Sequence, residues 1–166
     1  SVLHGAKTVV AWTVRVLQLY LLFIVLDKIL NQNLIDNLAP IAEMKDIELK
    51  FKQEDKIELF GDFILIQNAI RNLIDNALKY SPYEGIITVS IGTSPISFLE
   101  IYDQGPGFPP KDLDNLTMRF TRGQNSNGIV GSGLGLTIAK DVANAHGAKL
   151  QLSNHEKGGA CVTLLF

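Results

Sequence analysis

The sequence predicts an α/β sandwich in which helices cover one face of a mixed, mostly antiparallel sheet. Three observations support this prediction. Segments with the two-residue alternation of strands and segments with helical spacing follow one another in mixed order. The last two strand-like segments flank a Gly-containing turn and form a closing hairpin. The length of 166 residues and the hydrophobic content of 46% suffice for one domain with a real core.

The individual elements follow from local patterns. We expect helices over residues 31–45, 63–80 and 134–146, and strands over residues 47–51, 56–60, 85–92, 96–103, 148–154 and 160–166. The second helix begins after a Gly61-Asp62 turn and cap and ends before Ser81-Pro82, because proline disfavours helix in the preceding residue. The third ends at His146 and is followed by Gly147, where a left-handed cap favours glycine.

Composition excludes some functions. Lys plus Arg number 15 and Asp plus Glu 17, a formal net charge of -2, whereas domains that bind phosphate backbones are normally basic. We therefore expect no nucleic-acid partner. Cys161 is the single cysteine, so an internal disulfide and a multi-cysteine metal site are excluded, and a reducing, cytosolic setting fits best.

The amino-terminal segment, residues 9–26, is unusually apolar and contains one charge, Arg15. Its length approaches that of a membrane span, but Arg15 and Gln18 near its centre oppose insertion. Steps of four and three residues, as in a packed or dimerising helix, relate five apolar positions: Val10, Val14, Leu17, Leu21 and Ile24. A membrane-associated segment and a strand remain alternatives. We expect an apolar helical segment over 1–27 and a separate domain over 28–166.

The 63–80 helix carries a polar stripe. Asn68, Asn72 and Asn76 are spaced four residues apart and are followed by Lys79 and Tyr80. Asparagine is a poor helix former, so three in an otherwise apolar helix call for a reason. Amide oxygens beside a lysine suit a hydrated Mg²⁺ that carries phosphates. The alternative is a solvated polar face.

A second motif, Asp103-Gln104-Gly105-Pro106-Gly107, directly follows an apolar strand. A carboxylate at a strand end can accept a hydrogen bond from an exocyclic amine such as that of adenine. Gly105 and Gly107 allow the backbone to turn and to approach a flat ring closely. The alternative is a plain turn.

A third motif, Gly131-Ser132-Gly133-Leu134-Gly135, opens the last helix. Backbone N–H groups at a glycine-rich helix start can face a phosphate, and the helix dipole favours the anion. The motif matches neither the P-loop nor the G-x-G-x-x-G pattern. The alternative is a flexible hinge.

A fourth motif, Arg119-Phe120-Thr121-Arg122, lies in a glycine-rich stretch over residues 104–132. We expect this stretch to act as a lid, with Phe120 as its latch and Arg122 reaching phosphate. The alternative is an ordinary surface loop.

The four motifs occur in a characteristic order: NLIDNALKYSP, DQGPGF, RFTRG and GSGLGLTIAK. Together they resemble the ATP-binding domain of bacterial sensor histidine kinases, in the superfamily shared with gyrases, mismatch-repair ATPases and heat-shock chaperones. The resemblance covers roughly residues 28–166 and implies a Bergerat-type ATP-binding fold with ATP and Mg²⁺ as cofactors. Met118 and Phe108 depart from the family pattern, but neither change removes a polar nucleotide ligand.

The resemblance also implies the nucleotide-binding residues, all of which lie in these motifs: Asn72, Asn76, Lys79, Tyr80, Asp103, Gly105, Gly107, Phe120, Arg122, Gly131, Gly133, Leu134 and Gly135. Asn72 and Asn76 match the Mg²⁺-facing asparagines, and Asp103 matches the residue that reads adenine. Lys79 and Arg122 would contribute to catalysis by neutralising charge on the phosphates.

The phosphoacceptor motif of such kinases is not found around any of the three histidines, His4, His146 and His155. The resemblance therefore implies that residues 1–27 are the end of a dimerisation hairpin. It also implies transfer of the ATP γ-phosphoryl to a histidine on a dimerisation helix absent from this chain. The partners of the domain would be that segment and a response-regulator receiver domain, in a homodimeric full-length protein. The domain would be the cytoplasmic part of an inner-membrane receptor. A non-catalytic nucleotide-binding or partner-docking module and a serine-kinase-like anti-sigma factor remain alternatives.

Overall fold

Ten secondary-structure elements make up the described part of the protein. The computed structural model describes residues 23–25, 32–109, 113, 116 and 134–166. In chain order the elements are β1 (Phe23–Val25), α1 (Gln32–Glu43), β2 (Glu48–Gln53), β3 (Glu58–Phe60), α2 (Phe63–Tyr80), β4 (Ile86–Gly92), β5 (Phe98–Tyr102), α3 (Gly135–Ala145), β6 (Lys149–Asn154) and β7 (Ala160–Leu165).

The main sheet has five strands in the order β2-β4-β5-β7-β6. β2 and β4 run parallel, and the other three neighbouring pairs are antiparallel. Parallel neighbours need a long crossover, and the β2–β4 crossover contains α2. The predicted fold class, a mixed and mostly antiparallel sheet with helices, is confirmed.

One face of the sheet forms the core. Ile87 and Val89 of β4, and Leu99 and Ile101 of β5, are almost completely buried in one cluster with apolar residues of all three helices. Three of the alternate positions, which point to the opposite face, carry polar residues: Ser90, Glu100 and Thr163 are cross-strand neighbours and only half-buried. The helices therefore cover one face, as the sequence predicts.

Helix α2 has the bounds that the sequence predicts. The Asp62 carboxylate caps its start by accepting a hydrogen bond from the Leu65 N–H at 3.0 Å. Ser81 ends it in an extended conformation, with its N–H still bonded to the Ala77 carbonyl at 2.9 Å. The apolar stripe of the helix is buried: Ile66, Ala69, Ile70, Leu73, Ile74, Ala77 and Leu78.

At the amino-terminal side one strand pairing was not predicted, and one sequence prediction needs correction. β3 does not join the main sheet but pairs with β1 in a separate two-stranded sheet, with Phe23 opposite Phe60. Residues 23–25 are thus a strand and not the end of the predicted 9–26 helix, because β3 offers them backbone partners and Ile24 and Val25 favour extended backbone. The rest of the 1–27 segment lies outside the described residues, and its separation as a domain stays a prediction. Among the described helices, none is long and apolar enough to cross a membrane.

His146 joins α2 and α3. Its Nδ1 lies 2.7 Å from the Val142 carbonyl of α3, and its Nε2 accepts a hydrogen bond from the Asp62 N–H at 3.0 Å. The ring therefore links the end of α3 to the start of α2. Gly61 makes room for the ring, because a Cβ atom there would lie 2.9 Å from Nε2.

Replacing His146 by alanine should lower the free energy of unfolding by about 2 kcal/mol, because two hydrogen bonds are lost. Urea unfolding with an unchanged m value would measure this loss. His155→Ala is the control, since that exposed imidazole contacts Tyr102 but joins no helices, and we expect a smaller loss. Equal urea midpoints for His146→Ala and the unmodified protein would contradict the proposed link.

Candidate nucleotide-binding site

Three separate parts of the chain converge beside the carboxyl end of α2. A Cβ atom at Gly105, in the loop after β5, would lie 2.6 Å from the Tyr80 carbonyl oxygen. A Cβ atom at Gly135, the first residue of α3, would lie 3.2 Å from the Asn76 amide nitrogen. Both glycines thus stand where another element touches α2, and the structure brings together residues that the sequence assigns to three different motifs.

Asp103 is the buried charge of the site, with 5% of its surface exposed. Its Oδ1 accepts hydrogen bonds from the Gly105 N–H at 2.8 Å and the Ala160 N–H at 3.1 Å. Burial raises the pKa of this carboxyl group, and the two backbone hydrogen bonds oppose that rise. Among the described residues no hydrogen bond reaches Oδ2, so this oxygen can accept one from a ligand.

The loop that follows Asp103 is tied down as far as residue 108. The Gln104 side chain accepts a hydrogen bond from the Ile86 N–H at 2.9 Å, and the Asn154 side chain bonds to the backbone of Phe108. Gly107 has φ of +74°, a left-handed conformation that favours glycine. The first five residues of the predicted 104–132 lid therefore belong to the fixed frame.

The start of α3 has no side-chain cap. Leu134 occupies the N-cap position and its side chain makes no capping hydrogen bond. The first helical hydrogen bond of α3 runs from the Ile138 N–H to the Leu134 carbonyl at 2.9 Å. The N–H groups of Gly135, Leu136 and Thr137 in the first turn therefore have no intrahelical acceptor and can face an anion. Within the described residues, the buried Thr137 hydroxyl also has no hydrogen-bond partner.

The asparagine stripe of α2 divides between two surroundings. Asn76 faces the start of α3, and Asn72, one turn earlier, is half-buried. Asn68 instead lines a small cavity of about 60 Å³ that α1 also borders with Leu34 and Asn37. Each four-residue step rotates a side chain by about 40° around the helix, so a stripe that is straight in sequence winds away from the site.

Lys79 and Tyr80 complete the α2 part of the site, where Lys79 is exposed and Tyr80 is half-buried. No group of three or more acidic, His or Cys side chains that could hold a metal exists among the described residues. A Mg²⁺ ion here would depend on amide oxygens and ligand phosphates, and Asn72 and Asn76 fit that need.

Four predicted site residues, Phe120, Arg122, Gly131 and Gly133, lie outside the described residues. Their roles stay predictions.

Lys45 contributes to the site, although the sequence did not indicate it. Its Nζ donates hydrogen bonds to the carbonyl oxygens of Leu78 at 2.8 Å, Lys79 at 2.9 Å and Ser81 at 3.2 Å. The ammonium group thus caps the end of α2 that carries Lys79 and Tyr80, where a cation also suits the helix dipole. More than thirty residues separate donor and acceptors, so no local pattern could have indicated the contact.

The tip of the β6–β7 hairpin also contributes to the site, and the sequence analysis predicted the hairpin but not this contact. The Asp103 N–H donates to the Ala160 carbonyl at 3.0 Å, and the Ala160 N–H returns a bond to Oδ1 of Asp103. A Cβ atom at Gly159 would overlap the Asp103 carbonyl oxygen. The Gly158-Gly159 pair was the available signal, because adjacent glycines at a hairpin tip mark close approaches as well as turns.

Comparison with known proteins identifies the family. The family described as histidine kinase-, DNA gyrase B- and HSP90-like ATPases matches residues 61–166, which include α2, Asp103 and α3. The chain belongs to this family.

Its relatives are sensor kinases. Over 116 residues, or 70% of this chain, it is 39% identical to the sensor histidine kinase HprS of Escherichia coli K12 and spans 25% of that protein. Over 135 residues, or 81% of the chain, it is 31% identical to the sensor protein QseC of Salmonella typhi and spans 29% of it. The chain thus spans between a quarter and a third of these relatives.

Solved structures of histidine kinases have the same fold. A mycobacterial sensor histidine kinase, MprB, superposes with a TM-score of 0.72 at 27% identity, covering 87% of this chain and 95% of that one. The catalytic domain of the histidine kinase ThkA gives a TM-score of 0.74 at 19% identity and supports the fold. The chain is the ATP-binding catalytic domain found in sensor histidine kinases such as QseC and MprB.

Proposed function

We propose that this domain binds Mg–ATP at the site described above and transfers the γ-phosphoryl group to a histidine on a separate dimerisation segment. The proposal rests on the position of Asp103. Its carboxylate is held at the end of β5 by two backbone N–H groups, next to a loop that touches the end of α2. α2 in turn contacts the uncapped start of α3.

Asp103 is suited to recognise adenine. One carboxylate oxygen is engaged by the protein frame, and the other is available to accept a hydrogen bond from the exocyclic amine. Because the site buries the carboxylate, a ligand without a matching donor would leave its Oδ2 without a partner, which is costly. Because Gly105 and Gly107 have no side chains, the loop can lie close to the adenine ring.

The phosphates would lie between α2 and the start of α3. We assign the N–H groups near Leu134 and Gly135, together with Gly131 and Gly133, to phosphate binding. Asn72 and Asn76 would hold Mg²⁺, which when bound neutralises phosphate charge. Four further residues would contact the nucleotide: Lys79, Tyr80, Phe120 and Arg122.

This chain's own contribution to catalysis is positioning and electrostatic stabilisation. Lys79 and Arg122 would stabilise the charge that develops on the transferred group. The one cysteine is no nucleophile, because burial and the neighbouring Glu100 raise the pKa of Cys161 to about 11 and keep its thiol protonated.

We further propose the setting of sensor kinases for this domain. The phosphoacceptor segment of the same receptor and a response-regulator receiver domain would be its partners, within a homodimer. The solved QseC structure is described as the cytoplasmic segment of that kinase, which supports a cytoplasmic position for this domain in an inner-membrane receptor.

The test is phosphotransfer in a mixture. The chain is incubated with Mg–[γ-³²P]ATP and a separately purified dimerisation segment of HprS or QseC, and we expect acid-labile, base-stable label on that segment's histidine. Omitting the segment should leave no stable label on His4, His146 or His155. Nucleotide binding without transfer to either segment would contradict the kinase proposal in favour of a binding module, and acid-stable label on serine would favour an anti-sigma-type kinase.

A further inference from the structure

We propose that Asn154 is a positioning residue for adenine recognition, acting from outside all four nucleotide motifs. The inference rests on the proposed function and concerns how the loop from Asp103 to Phe108 keeps its shape. Asn154 is the last residue of β6 and would not touch the nucleotide itself.

The Asn154 side chain holds both backbone groups of Phe108. Its Oδ1 accepts a hydrogen bond from the Phe108 N–H at 2.6 Å, and its Nδ2 donates to the Phe108 carbonyl at 2.7 Å. An amide that donates and accepts in this way replaces a neighbouring strand, which satisfies backbone groups by the same two bonds. The amide therefore fixes the position and the orientation of this residue.

The other end of the loop is held by the residue opposite Asn154. Asn154 and Ala160 are cross-strand partners in the β6–β7 ladder. The Ala160 backbone accepts from the Asp103 N–H at 3.0 Å and donates to Oδ1 of Asp103 at 3.1 Å. A single cross-strand pair thus holds both ends of the loop, Asp103 through Ala160 and Phe108 through Asn154.

The middle of the loop fits this arrangement. Gly107 passes beneath Asn154 so closely that a Cβ atom would lie 2.7 Å from Oδ1 of Asn154. Phe108 packs against the hydrophobic core from the other side. Because the ends are held, the Gly105 N–H stays at the 2.8 Å that orients the Asp103 carboxylate. Loss of the Asn154 amide should therefore disturb the Asp103 carboxylate, which reads adenine, at the other end of the loop.

Asn154→Asp is the sharpest substitution, because it keeps the size of the side chain and the acceptor for the Phe108 N–H. It removes the donor and places a carboxylate oxygen against the Phe108 carbonyl. We expect the Kd for ATP to rise about tenfold. The preference for ATP over ITP, whose base has a carbonyl in place of the amine, should fall about fivefold. Hydrogen exchange at the Phe108 amide should become faster.

Asn144→Asp is the matched control, since it makes the same chemical change at an exposed position of α3 and should leave all three measurements unchanged. Asn154→Ala, which adds no charge, serves if the aspartate variant fails to fold. A merely structural role would lower stability without changing the ATP-to-ITP preference of the folded protein.

The outcomes separate the two proposals. If the unmodified protein prefers ATP to ITP and the folded Asn154 variants keep the same Kd and the same preference, this inference is overturned alone. If the unmodified protein binds neither nucleotide, the proposed function falls and the inference with it.

Discussion

Replacing Asp103 by asparagine should weaken ATP binding by about 100-fold and leave the fold intact. The amide oxygen of the variant can still accept from the Gly105 and Ala160 N–H groups, which bond to Oδ1 in the unmodified protein. The amide nitrogen, however, would present a donor to the donating amine of adenine. Calorimetric titration with ADP and the ligand-induced rise in melting temperature would measure the loss.

The same substitution has a pH-dependent effect on stability. Burial raises the pKa of Asp103, so between the ordinary and the raised pKa the folded state binds more protons than the unfolded state. The free energy of unfolding therefore falls as the pH rises through this window, relative to the asparagine variant, which does not titrate. Without ligand, the variant should be at least as stable as the unmodified protein at pH 7, and this advantage should shrink as the pH is lowered.

Asp55→Asn is the control for the ADP-binding measurement. That aspartate is exposed, bonds to the Thr93 hydroxyl and lies in the turn after β2, at the opposite end of the sheet. It should not change ADP binding. A full ligand-induced shift in the Asp103→Asn protein would show that the assignment of adenine to Asp103 is wrong.

Gly159→Ala should be the most destabilising of these substitutions, with a loss of about 3 kcal/mol or more. Two effects add. The φ of +97° strains any residue with a side chain, and the new Cβ atom would overlap the Asp103 carbonyl oxygen. Relief of the overlap requires β5 and the hairpin tip to separate, so the variant should also bind ADP less tightly.

The neighbouring glycine provides a matched control. Gly158 has a similar φ of +88°, but a Cβ atom there would meet no atom within 4 Å. Gly158→Ala should therefore cost only the strain of the left-handed backbone, about 1–2 kcal/mol. Urea unfolding of the two variants isolates the effect of the overlap, and equal losses would refute it.

Much of the fold and part of the site could be predicted, because the signals are local. The cap at Asp62, the apolar spacing up to Leu78 and the Ser81-Pro82 stop determine α2 within one stretch of chain. The alternation in β4 and β5 likewise predicts which side chains are buried. The order of the four motifs led to the correct family, which the match over residues 61–166 confirms.

The sequence by itself therefore determined the elements from α1 onward, the fold class, the family and the place of Asp103 at a strand end. The tertiary structure alone decided that residues 23–25 form a strand with β3 and that Asn68 turns toward α1. It also decided that Asn154 holds Phe108, 46 residues away in the chain. These contacts join segments that only the packed sheet brings together, and a pattern within a few residues carries no information about them.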